Sequence, residues 1–175
     1  MTGSSPKDAE TIFQALDAYD QLNQFDEGSP QKIGFQEIYA YANDVTYVPS
    51  PAFKTALTND LTLRRDLNHL LKKQTIAFMP RAAAASSGDI NKREGNGFSL
   101  SIKQSKADDD SVYVIIQSDL SEKIPTLLYI IEEANTHRLV LDDFFDSETQ
   151  ILLSKKADAP LLKALHNPGS EVILR

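Results

Sequence analysis

The sequence predicts an α+β protein: a small N-terminal helical bundle of three or four helices, followed by a C-terminal antiparallel β-sandwich or barrel of about six strands with one short helix. Three observations carry this reading. Up to Met79-Pro80, apolar residues recur every three or four positions; from Phe98 onward they recur every two. Between the two patterns lies Arg81-Ala-Ala-Ala-Ala-Ser-Ser-Gly88, whose composition fits a joint. The organisation expected is therefore a helical domain over 1–80, a linker over 81–97 and a β-rich domain over 98–175.

In the first half, Ile12, Phe13, Leu16, Tyr19, Leu22 and Phe25 give one amphipathic face from Lys7 to Asp26, stopped by Glu27-Gly-Ser-Pro30. A second helix is expected from Ile33 to Asn43, and Val45-Thr-Tyr-Val48 has the β-branched and aromatic character of an extended segment. Ser50-Pro51 is a start signal. The serine can cap free N–H groups, and the proline sits where its missing N–H costs nothing. Phe53 and Leu57 then share a face, and Leu63, Leu67, Leu70, Leu71, Gln74 and Phe78 carry a longer helix to Met79, ended by Pro80.

In the second half, Phe98, Leu100 and Ile102 alternate with Ser99, Ser101 and Lys103, the mark of a strand with one wet face. Val112–Ile116 and Leu127–Ile131 are denser apolar runs suited to central strands. Arg138–Leu141, Gln150–Leu153 and Glu171–Leu174 complete the set, with a short helix over Pro160–His166 broken by Pro168-Gly169.

Composition narrows the chemistry. The 175 residues contain no cysteine, which excludes disulfides, thiolate metal sites and a cysteine nucleophile. The net charge of −7 disfavours direct binding of nucleic acid, which needs clustered positive charge. The polar opening Met1–Glu10 has no export-signal pattern, and no apolar run is long enough for a membrane helix, so a cytoplasmic location is expected.

No catalytic constellation stands out. His69, His137 and His166 fall on three different elements and share no metal-ligand spacing. Asp108-Asp-Asp110 lacks the staggered ligands and glycine turn of a calcium loop and reads as a solvated turn. Asp142-Asp-Phe-Phe-Asp146 reads as a loop whose phenylalanines pack under a sheet. Gly95-Asn-Gly97 reads as a turn, and no serine sits in a Gly-x-Ser-x-Gly elbow. The expectation is a protein that is not an enzyme, with no metal and no cofactor.

Glu37-Ile-Tyr-Ala-Tyr41, Ala52–Leu57, Asp60 and Leu63-Arg-Arg-Asp-Leu67 together resemble the N-terminal helical region of bacterial anti-sigma factors, over residues 37–71. The absence of cysteine makes this the zinc-free type, and Asn43-Asp44-Val45-Thr46 departs from the acidic glycine-containing segment usual at that point. The resemblance implies a regulatory protein that clamps a sigma factor with its helices. Phe53, Leu57, Leu63, Leu67 and Leu70 are then the partner-binding anchors, in helix-in-groove fashion. Two other readings compete: an adaptor whose β-sandwich recognises the partner, and a small enzyme using scattered acids with His137 or His166.

Overall fold

A computed structural model describes residues 33–81, 90–119 and 124–175. The expected helix over 7–26, its stop at 27–30 and the Ala/Ser/Gly stretch 82–88 lie outside the described residues. Three helices come first: α1 (Phe35–Asn43), α2 (Pro51–Asn59) and α3 (Leu61–Lys73). Eight strands and one further helix follow: β1 (Ala77–Met79), β2 (Lys92–Gly95), β3 (Phe98–Gln104), β4 (Ser111–Ser118), β5 (Leu127–Ile131), β6 (Thr136–Val140), β7 (Glu148–Ser154), α4 (Ala159–His166) and β8 (Glu171–Leu174).

The strands form two antiparallel four-stranded sheets, sheet I in the order β1-β8-β5-β6 and sheet II in the order β2-β3-β4-β7. Alternation along β3, β4 and β7 turns Phe98, Leu100, Ile102, Val112, Val114, Ile116, Ile151 and Leu153 inward, where they meet Leu128, Ile130, Val172 and Leu174 of sheet I. Leu162 and Leu165 of α4 complete this core.

The fold expected from the sequence requires correction. It is not a helical bundle followed by a six-stranded unit. There are eight strands in two sheets, and α1–α3 belong to the same compact unit as the sheets, residues 35–175. The long helix ends at Lys73, where the Gln74 N–H still donates to the Leu70 and Leu71 carbonyls. Ile76 N–H then donates to Leu174 O at 2.9 Å, and Ala77–Met79 pair with β8. Local periodicity at Gln74 and Phe78 mimics a helix, but the pull of the sheet prevails.

Strand β2, inside the stretch expected to be a linker, is equally hidden. Its inward position is filled by Arg93 rather than by an apolar residue. The guanidinium is buried and donates to Ser170 Oγ (2.8 Å), Ser170 O (2.7 Å) and Pro80 O (3.3 Å), bonds that offset its desolvation. Among the described residues no carboxylate pairs with it. Burial shifts its pKa down from the ordinary arginine range. These contacts fasten β2 of sheet II to β1 and the turn before β8 of sheet I, closing one side of the sandwich.

Helices α1–α3 cover the outer face of sheet I. Ser50 Oγ caps α2 by accepting from Phe53 N–H at 3.0 Å, and Asp60 caps α3 through Thr62 and Leu63. Their apolar stripes face Leu127, Tyr129, Ile131 and Ile173, all 2% exposed or less. Tyr129 Oη donates to Tyr41 O at 2.6 Å, and the two rings meet edge to face with centroids 5.9 Å apart. Burial raises both phenols above the ordinary tyrosine pKa.

Two outcomes follow from this packing. A Cβ on Gly95 would lie 2.5 Å from Met79 Cγ and 3.2 Å from Phe78 O, so Gly95→Ala should lower unfolding free energy by about 1–3 kcal/mol in a denaturant titration. Above about pH 10 the unfolded chain releases phenolic protons that folded Tyr41 and Tyr129 retain, so stability should fall as pH rises further. An absorbance titration should show that these two of the six tyrosines ionise only as the circular dichroism of the fold is lost.

Candidate functional site

At the ends of the two sheets away from the β1–β2 closure, the edge strands are β6 and β7, which do not pair with each other, and α4 packs into the core with its start beside β6. The bonds from Leu141 N–H to Thr126 O (2.9 Å) and from Glu132 N–H to Asn135 O (2.8 Å) set the phase of the β5–β6 ladder. Odd-numbered residues of β6 therefore bond to β5, and Thr136, Arg138 and Val140 direct their N–H and C=O groups away from the sheet. None of these outward groups has a partner among the described residues.

Beside this edge lies a cleft of about 460 Å³. Tyr41, Phe53 and Leu57 of the helical layer form one wall; Ala157, Pro160 and Leu161, at the start of α4, contribute to the other. Two arginines hold the hairpin to the helices. Arg138 donates through Nη1 to Tyr47 O at 3.2 Å and through Nη2 to Asp44 O, with its guanidinium 5.5 Å from the Tyr41 ring centroid. Arg64 donates to Ala134 O at 3.0 Å and to the carbonyl of Thr58.

Two residues that line the cleft carry unpaired polar atoms beneath its surface. Thr136 Oγ1 and Arg138 Nε are buried without a hydrogen-bond partner; Asn68 Oδ1 is the other such side-chain atom among the described residues. Lys54 and Arg138 bring positive charge to the lining, against one carboxylate, Asp158, whose Oδ2 accepts from Ser154 N–H at 2.8 Å.

The histidines do not come together. His137 Nε2 stands 3.4 Å from Glu132 Oε2, and the other oxygen of that carboxylate accepts from Asn167 Nδ2 at 2.9 Å, which ties the hairpin to the turn before β8. His166 Nδ1 lies 3.3 Å from Ile90 O, and His69 is exposed on α3. No group of three potential metal ligands occurs among the described residues. Asp108 forms a turn. Its carboxylate accepts from Ser111 Oγ (2.6 Å) and Asp110 N–H (2.9 Å), and the Ser111 bond foremost holds its pKa below the ordinary range.

The expected anchors point inward. Phe53, Leu57, Leu63 and Leu67 are buried, at 1%, 6%, 6% and 0% exposure, and Leu70 is half-buried. They are spent on packing within the unit, although Phe53 and Leu57 also line the cleft. Of the edge residues, His137 was anticipated as a site residue only in the enzyme reading, and Thr136 and Arg138 not at all. Their signal is a histidine and an arginine beside the apolar pair Leu139-Val140 of a short strand, a common way to guard an exposed edge.

No family model, curated protein or solved structure matches this chain. Among the described residues, no helix is long and apolar enough to cross a membrane.

Replacing a buried, unpaired hydroxyl by a methyl group removes a desolvation cost without leaving a hole. Thr136→Val should accordingly raise thermal stability, by about 1 kcal/mol at the melting midpoint. Leu67→Ala should lower it by about 2–5 kcal/mol, as a fully buried leucine does.

Proposed function

We propose that this chain is a protein-binding module that receives an extended segment of another protein as an added strand on β6. The supporting observation is the row of outward backbone groups at Thr136, Arg138 and Val140, left open beside a cleft with apolar walls. A strand laid along this edge would gain main-chain hydrogen bonds, and alternate side chains would enter the cleft. Lys54, on the cleft wall, favours a segment with a carboxylate or amide acceptor at the position facing it, and the positive charge of Arg138 adds to that preference.

This places recognition on the β unit, as the adaptor reading does, rather than on the leucine stripe of α2 and α3. Regulation of a partner by capture of such a segment is compatible with it. The likeness of residues 37–71 to anti-sigma factors names sigma factors as the first partners to try.

The test is selection of short unstructured peptides against the full chain. Val140→Pro removes one outward N–H and no ladder bond, so the fold should persist while selected peptides lose about five- to tenfold in affinity. Bound peptide should also slow amide exchange at Thr136, Arg138 and Val140. Binders that leave both affinity and exchange unchanged would place recognition elsewhere.

A further inference from the structure

The second open edge has a different character. The bonds from Ser118 N–H to Ser147 O (2.8 Å) and from Lys155 N–H to Asp110 O (2.7 Å) set the phase of the β4–β7 ladder, so even-numbered residues of β7 face outward. Glu148 spends its outward groups on Phe145, at 2.9 and 2.8 Å. Ser154 spends its own on Asp158, whose side chain accepts at 2.8 Å and whose N–H donates at 2.9 Å. Gln150 and Leu152 are left, with no partner for their outward groups among the described residues.

Exposed edges are normally guarded by charge, proline or brevity. Strand β2 carries Lys92, Arg93 and Glu94, β6 carries His137 and Arg138, and β1 is three residues long and lies against β2. Between Thr149 and Leu153, β7 has no charge, proline or glycine. It leaves Leu152 56% exposed, and the turn that opens it leaves Phe145 80% exposed.

We propose that β7 pairs with β7 of a second copy of this chain, antiparallel about a two-fold axis at Ile151. In this register Gln150 of each copy faces Leu152 of the other. The two rungs bring together all the free groups of both edges in four hydrogen bonds, and sheet II becomes an eight-stranded sheet across the pair. The acidic end of the strand, Asp146 and Glu148, lies toward the basic end of its neighbour, Lys155 and Lys156. Closure by a two-fold axis leaves no further β7 edge to propagate a fibre. The equivalent operation on β6, about His137 or Leu139, would set Arg138 against Thr136 or Val140 and bring the two arginines onto neighbouring rungs, with no carboxylate in the strand to oppose them. Dimerisation therefore belongs to β7, and it stands independently of peptide capture at β6.

Sedimentation velocity of the full chain over a range of concentrations tests this. The unmodified chain should form a reversible dimer. Leu152→Pro, which removes an outward N–H on an exposed position, should weaken dimerisation about tenfold or more with an unchanged circular dichroism spectrum. Because the chain has no cysteine, register can be read directly. Gln150→Cys mixed with Leu152→Cys should oxidise to a mixed disulfide in preference to either self-pair, since residues facing each other in a hydrogen-bonded rung lie within disulfide range. A chain monomeric at every concentration, a dimer indifferent to Leu152→Pro, open-ended oligomers, or self-pairs that form as readily as the mixed one would each overturn the proposal.

Discussion

Strand β5 is buried on both faces, and the rest of the architecture supplies the two covers that this demands. All five residues from Leu127 to Ile131 are 2% exposed or less. An antiparallel sheet with one wet face needs only a single apolar side; here both sides of sheet I are dry. Leu128 and Ile130 face sheet II, whereas Leu127, Tyr129 and Ile131 require the helices. The stripe formed by Phe53, Leu63, Leu67 and Leu71 is thus the lid of a sheet rather than a free surface. Tyr129 adds a hydroxyl that donates to Tyr41 O near the end of α1, so the lid has a fixed position as well as an apolar affinity.

The two sides of the sandwich differ in how their edges are treated. At β1 and β2 the edges are brought together by Arg93 and the close approach at Gly95, and no strand could be added there without breaking buried bonds. At β6 and β7 the backbone stays open, and the side chains decide what suits each edge. A charged edge repels its own copy and accepts a segment of complementary charge. A neutral edge with an acidic end and a basic end complements itself.

Much of this was legible in the sequence, and the failures have physical causes. Alternation located β3, and short apolar runs located β4 to β8, β5 being apolar throughout because it has a core on each face. Strand β1 was masked by Gln74 and Phe78 falling in register with the preceding helix. Strand β2 was masked because its inward residue is an arginine, which no hydrophobic pattern can flag. The relation of helices to sheet was not readable either, since an apolar stripe looks the same whether a helix or a sheet covers it. For the same reason Phe53 and Leu57 were noticed as apolar anchors. Arg138 and Thr136 matter through an unpaired backbone edge, which depends on strand order and has no local signature.

The strand order β1-β8-β5-β6 bears on how the chain is made. The neighbours β3–β4 and β5–β6 can pair as soon as each leaves the ribosome, but β8 sits between β1 and β5 and must be inserted after both exist. Until residue 174 has been synthesised, β5 exposes a free edge where β8 belongs and the helices have half a sheet to cover. Such a nascent intermediate, with apolar β5 uncovered on one flank, is the kind of species that chaperones hold. Assembly is therefore expected to be concerted and late, with a folding rate set by long-range pairing more than by its helices.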